Sequence, residues 1–107
     1  MADTSDLLAA ATTIEATIKR FGRLDVLVNN ASAGAVMSLS EVDIDFLTQL
    51  FAVNVFGPSL LVKEALPDLV KAQGSIVNVS STYGHKAAAN LSHYAASKAA
   101  LEHLTRC

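Results

Sequence analysis

Leu24-Asp25-Val26-Leu27-Val28-Asn29-Asn30 decides the fold: a short apolar, β-branched run, bounded by turn formers, that ends in two asparagines. A run of this kind fits a central parallel strand. Gly74-Ser75-Ile76-Val77-Asn78-Val79-Ser80-Ser81 has the same character and ends in two hydroxyls. About forty residues with one long helical pattern separate the two runs, a connection suited to a right-handed crossover, so the strands are expected to be parallel neighbours. In open α/β sheets ligands bind beyond the carboxyl ends of the strands. The small residues Ala31-Ser32-Ala33-Gly34-Ala35 follow the first strand at that end and would let a ligand approach the backbone closely.

Outward from the strands, Leu7, Ala11, Ile14, Ile18 and Phe21 form a helical stripe, with Ser5 or Thr4 as its cap and Gly22 as its stop. A longer helix is expected to start at Ser40-Glu41-Val42-Asp43, with an acidic first turn, and to run to about Lys71 with interruptions. Its main stripe is Leu47, Leu50, Phe51, Asn54, Pro58, Leu61 and Ala65, so an amide sits on the face that otherwise buries. Pro58 lacks an N–H, which deprives the Asn54 carbonyl of its helical partner and should bend the helix there. Two readings of Asn54 stand: a hydrogen-bonded core residue, or the seat of an ordered water. Val53, Phe56 and Leu60 make a second stripe, which suits either a partner subunit or deep burial. A third helix begins near Ser92 and is still periodic at Leu101 and Leu104.

With 107 residues, the chain is at most one domain. Hydrophobic residues make up 51%, a share that suits strands buried on both faces. Eight basic against ten acidic residues, with no basic stripe, argue against nucleic acid or an anionic membrane as partner. No apolar run is expected to reach membrane-spanning length. The lone cysteine, Cys107, excludes an internal disulfide framework and fits a reducing, cytoplasmic compartment. His85, His93 and His103 read as surface or interface polar residues, and no metal site is expected.

The chemistry gathers in Leu91-Ser92-His93-Tyr94-Ala95-Ala96-Ser97-Lys98. A phenol and an ammonium four residues apart leave one face of a helix, and the charge favours the phenolate form needed for proton transfer. Both strands and the third helix should meet at one sheet edge, so Asn30, Ser81 and Tyr94 are expected to converge there, with Lys98 one turn below Tyr94. Ser81 reads either as a strand-end cap or as a donor to a substrate oxygen. Together the hydroxyl, the phenol and the ammonium would polarise a carbonyl while a proton is exchanged. Glu64, Asp68 and Glu102 read as solvated helix faces.

At this point the chain resembles the short-chain dehydrogenase/reductase family. The resemblance is carried by Asp3-Thr4-Ser5-Asp6, Gly22-Arg23-Leu24-Asp25-Val26-Leu27-Val28-Asn29-Asn30-Ala31, Val53-Asn54-Val55-Phe56-Gly57, Gly74 to Ser81 and Tyr94-Ala95-Ala96-Ser97-Lys98, in that order. It implies an α/β fold: a partial Rossmann-like, doubly wound parallel sheet over residues 1–107, a central fragment lacking the N-terminal glycine-rich βαβ unit and the C-terminal strands. It also implies an oxidoreductase moving a hydride between NAD or NADP and a carbonyl/alcohol substrate. Tyr94 would be the general acid/base, Lys98 would tune it and bind the nicotinamide ribose, and Ser81, thirteen residues before Tyr94, would orient the substrate. Ser80 ranks second for that task. Asn54 would hold a water in a proton relay. Asn30, Ala31 and Ser32 would line the cofactor with Tyr94 and Lys98, and Asp3 would touch the adenine. Ser32 stands where the family has a glycine, and no Gly-x-x-x-Gly-x-Gly stretch is present. These residues alone are therefore expected to bind NAD(P) weakly or not at all. A homo-oligomer through the long helix is expected, and the alternative is a truncated, noncatalytic chain acting only in association.

Overall fold

The computed structural model describes residues 7–34 and 36–107. The two apolar runs become strands β1 (Val26–Asn29) and β2 (Ser75–Asn78), parallel and in register from Val26 opposite Ser75 to Asn29 opposite Asn78. Both are shorter than the runs that encode them, and the chain is already extended at Ser81. Helix α1 (Leu7–Phe21) precedes β1 and stops at Gly22, whose positive φ ends the helix while its N–H still reaches the Ile18 carbonyl. The expected caps Thr4 and Ser5 lie outside the described residues.

Ile44 to Ala72 is one continuous helical rod in three pieces: α2 (Ile44–Phe51), a π-helical segment (Ala52–Phe56) and α3 (Gly57–Ala72). It starts later than expected, because Asp43 rather than Ser40 caps it, its carboxylate accepting from the Phe46 N–H at 2.8 Å. Pro58 is accommodated by widening: the Gly57 N–H reaches back five residues to the Ala52 carbonyl, and the proline takes its place in the first turn of α3. α3 ends where Gln73 turns left-handed. Helix α4 (Ser92–Arg106) follows a 3₁₀ turn (Thr82–Gly84) after β2.

The core lies between α1, α3 and one face of the sheet, built from Ala10, Ile14, Leu27, Leu61, Ala65 and Leu69. Each buried leucine there contributes about 2 kcal/mol relative to an exposed one. In α1 the buried residues are Ala10 and Ile14, while Phe21, expected in the stripe, is exposed beneath the Arg20 guanidinium. A polar chain extends the packing to α4: Asn29 Nδ2 donates to Asn78 Oδ1 at 2.7 Å, and Asn78 Nδ2 to Thr105 Oγ1 at 3.0 Å.

Two expectations are corrected. Among the described residues the strands are not buried on both faces: Leu27, Asn29, Ile76 and Asn78 turn toward the helices, but Val26, Val28, Val77 and Val79 are exposed. The core side chains and Thr105 all lie on the first side, so nothing in these packing contacts covers the second. The second correction concerns length. Ile44–Ala72, 29 residues with an 18-residue stretch of mean hydropathy 1.4, is long and apolar enough by length and composition to cross a membrane. Yet the rod's most buried residues, Leu50, Asn54, Leu61, Ala65 and Leu69, include four apolar ones, and Leu61, Ala65 and Leu69 sit in the core shared with α1 and β1. A core helix passes the same length test.

Candidate active site

Helix α4 carries Tyr94, Lys98 and Glu102 at successive four-residue steps, hence on one face, and that face meets the end of β2. Lys98 is 2% exposed, and its Nζ donates to the Val79 carbonyl at 3.1 Å. Tyr94 and Ser81 line one cleft of about 400 Å³ with Ser32, Gly34, Val36, Tyr83 and Leu91. The phenol and the hydroxyl therefore share a space large enough for a small carbonyl compound. Ser81 takes the cap reading: its Oγ accepts from the Tyr83 N–H at 3.2 Å, and its hydroxyl proton has no acceptor among the described residues.

Asn54 is fully buried and all of its side-chain capacity for donation is used. Its Oδ1 accepts from the Ala33 N–H at 2.8 Å, while its Nδ2 donates to the Ala33 carbonyl at 2.7 Å and to Ser97 Oγ at 3.0 Å. Ser97 spends its one proton on the Tyr94 carbonyl at 2.7 Å, so it must be the acceptor toward Asn54. The result is a chain from the loop after β1, through the π segment, to the backbone of Tyr94. π-helical turns often mark functional sites, and here the widened turn carries Asn54 itself.

Glu102 is not the solvated residue expected. It accepts from Ser80 Oγ at 2.8 Å and lies 3.6 Å from His85 Nδ1, with its side chain largely covered. The Ser80 hydroxyl, and after it His85 and Arg106, hold this carboxyl below the usual carboxylate range against the opposing effect of burial. A lowered folded value stabilises the fold above the ordinary carboxylate range, and the stabilisation is lost as pH falls through the folded value. Melting temperatures measured from neutral to acid pH are therefore expected to fall more steeply for the parent than for Glu102→Gln. Parallel curves would mean that Glu102 is not linked to folding.

Of the other sequence-derived candidates, Ser32 lines the cleft, while Asn30 and Ala31 border a separate, small groove beside Val53 and Pro58. Beyond β1 it is Ser32 and Gly34 that reach the cleft shared by Ser81 and Tyr94. Asp3 lies outside the described residues. His93, expected at a surface or interface, has its Nε2 buried without a partner among the described residues. Sequence reasoning missed Gly34, Tyr83 and Glu102. A Cβ on Gly34 would sit 2.7 Å from Tyr94 Cδ2, so the ring needs glycine beside it. The run of small residues at 31–35 was the signal for that contact, read there as room for a ligand.

The family model for short chain dehydrogenases matches residues 1–107, and the chain belongs to that family. It is 36% identical over 104 residues to a trans-4-hydroxycyclohexanecarboxylate dehydrogenase of Sinomonas cyclohexanicum, with 97% of this chain and 40% of that one covered. Among solved structures, a short-chain dehydrogenase from Streptomyces avermitilis superposes with a TM-score of 0.91 at 39% identity, covering 97% of this chain and 39% of that one. A metagenomic short-chain oxidoreductase in complex with NADP gives a TM-score of 0.87 at 34% identity, covering 96% and 47%. The chain thus spans about two fifths of the length of the curated relative it matches, and its α/β architecture is part of a Rossmann-like fold.

Proposed function

We propose that these residues form the proton-transfer centre of an NAD(P)-dependent oxidoreductase that interconverts a small carbonyl compound and its alcohol. The observation that carries this reading is the single cleft shared by Ser81 and Tyr94, on the helix face that also holds the buried Lys98. In the reducing direction the Ser81 hydroxyl donates a hydrogen bond to the substrate oxygen and orients it. Tyr94 hands its phenolic proton to that same oxygen, and in the oxidising direction takes it back. Lys98, held against the Val79 carbonyl one turn below, places a positive charge where a tyrosinate is stabilised.

The residues fit a nicotinamide cofactor. A buried ammonium has three donors, and Lys98 spends one on a carbonyl among the described residues, which suits a ligand bearing hydroxyl acceptors such as a ribose. Ser32, Tyr94 and Lys98 would hold that end of it, with Asn30 and Ala31 in the neighbouring groove. Bound NAD(P)(H) supplies or accepts the hydride. A water at the Asn54 carbonyl would relay protons toward Lys98, since the side chain itself is committed to Ala33 and Ser97. The exposed Phe56, in the stripe with Val53 and Leu60, supports association of copies along the central helix. The compartment proposed is cytoplasmic.

The test is a panel of small ketones, including 4-oxocyclohexanecarboxylate, offered with NADH and NADPH to the protein expressed from its own reading frame. Consumption of reduced nicotinamide that depends on the ketone is expected. No turnover with any ketone or either cofactor would favour a noncatalytic chain.

A further inference from the structure

We propose that Glu102 is a positioning residue: by accepting the Ser80 hydrogen bond across the open face of Gly84, it fixes the turn that carries Ser81 against the helix that carries Tyr94. The inference rests on the proton-transfer reading of Ser81 and Tyr94 and adds to it a group that touches neither substrate nor cofactor.

Two hydrogen bonds lock residues 81 to 84 into one turn, which Ser80 enters. The Gly84 N–H donates to the Ser81 carbonyl at 2.9 Å, and the Tyr83 N–H donates to Ser81 Oγ at 3.2 Å. Glu102 grips this piece at both ends. Its Oε1 receives the Ser80 hydroxyl at 2.8 Å, and the same oxygen rests where a Cβ on residue 84 would overlap it; that Cβ would also lie 2.9 Å from Ser80 Oγ. Ser81 lies between the two grips. Glu102 does not line the cleft, so any effect on chemistry must pass through the turn. The titratable groups around the carboxylate are His85, on the segment after the turn, and Arg106, one turn further along α4. Thr105 on Asn78 and Lys98 on Val79 tie the same helix to β2 and its end, and Glu102 adds the hydrogen bond nearest the turn, on the residue next to Ser81. Without it the turn is held to α4 chiefly through the strand end behind it.

The test uses the protein expressed from its own reading frame, the panel ketone reduced fastest, and four variants: Glu102→Ala, Glu102→Gln, Gly84→Ala and Tyr94→Phe. Misplacing a catalytic group by about 1 Å costs on the order of a hundred-fold, so Glu102→Ala is expected to lower kcat by roughly ten- to a hundred-fold. The cofactor Kd, read by nicotinamide fluorescence, should hardly change. Glu102→Gln keeps an acceptor oxygen and should recover most of the rate. Gly84→Ala pushes the carboxylate aside and should reproduce the loss; combined with Glu102→Ala it should add little, because both break one contact. Amide exchange at Tyr83 and Gly84 should quicken in Glu102→Ala. A parental kcat in folded Glu102→Ala, or additive losses in the double variant, overturns the proposal; if Glu102→Ala does not fold, a parental kcat in Gly84→Ala does so. Tyr94→Phe separates the two readings: an inactive Tyr94→Phe beside a fully active Glu102→Ala removes only the role of Glu102. An active Tyr94→Phe, or a parent without turnover, removes both.

Discussion

Tyr94→Phe is expected to lower kcat on the order of a thousand-fold, with little change in melting temperature. The substitution deletes one oxygen. The ring keeps its seat against Gly34, and the backbone carbonyl of Tyr94 keeps its hydrogen bond from Ser97, so the helix and the cleft wall persist. What disappears is the only group on this face of α4 that can pass a proton to a substrate oxygen, since Lys98 is tied to Val79 and is 2% exposed. Ser81→Ala removes an orienting donor rather than the proton source, and its loss should be smaller, on the order of a hundred-fold. Steady-state kcat and KM, with thermal melts of each variant, check both. A Tyr94→Phe protein that retained a tenth of the parental rate would assign the proton to another donor.

The strands were legible because two apolar runs with turn formers at both ends admit few other structures, and the length between them forced a parallel pairing. The parallel pairing and the α3 core stripe of Leu61 and Ala65 follow from the same pattern. The exposed valines were not legible. A run that is apolar on both faces reads as doubly buried, and only the packing shows that Val26, Val28, Val77 and Val79 have cover on one side of the sheet alone. Pro58 announced a disturbance in the long helix but not its kind. A proline can be met by a kink or by a widened turn, and here the turn widened.

The site divided along similar lines. Tyr94 and Lys98 were readable because helical spacing alone puts them on one face, and the thirteen-residue step back to Ser81 was readable by resemblance. Glu102 continues the same spacing, yet a lone glutamate near a helix end has an ordinary solvated explanation. Its partners Ser80 and Gly84 come from a turn whose 3₁₀ conformation no periodicity announces. The exact place of Asn30 was less legible for the converse reason: strand alternation says which face a residue takes only while the strand lasts, and β1 ends at Asn29.

Asn54→Leu is expected to destabilise the protein by about 3–5 kcal/mol, the scale of breaking a buried network and leaving its members unpaired. Leucine approximates the volume but offers no partner to the Ala33 N–H, the Ala33 carbonyl or Ser97 Oγ, all of which Asn54 now satisfies. Asn54→Asp sharpens the test because it preserves shape. Its carboxylate could still accept from the Ala33 N–H, but it would turn a second oxygen toward the Ala33 carbonyl and toward a Ser97 whose proton is committed to Tyr94. Two attractive contacts become oxygen facing oxygen, so Asn54→Asp should also be strongly destabilised at neutral pH and should regain part of the loss on acidification, when its carboxyl becomes a donor. Denaturant melts at neutral and mildly acid pH measure both effects. Because the chain of bonds ends at the Tyr94 backbone, the residual folded fraction should also turn over more slowly than its concentration predicts. An Asn54→Asp protein as stable as the parent at neutral pH would mean that the link from Ala33 through Ser97 to Tyr94 carries no energy.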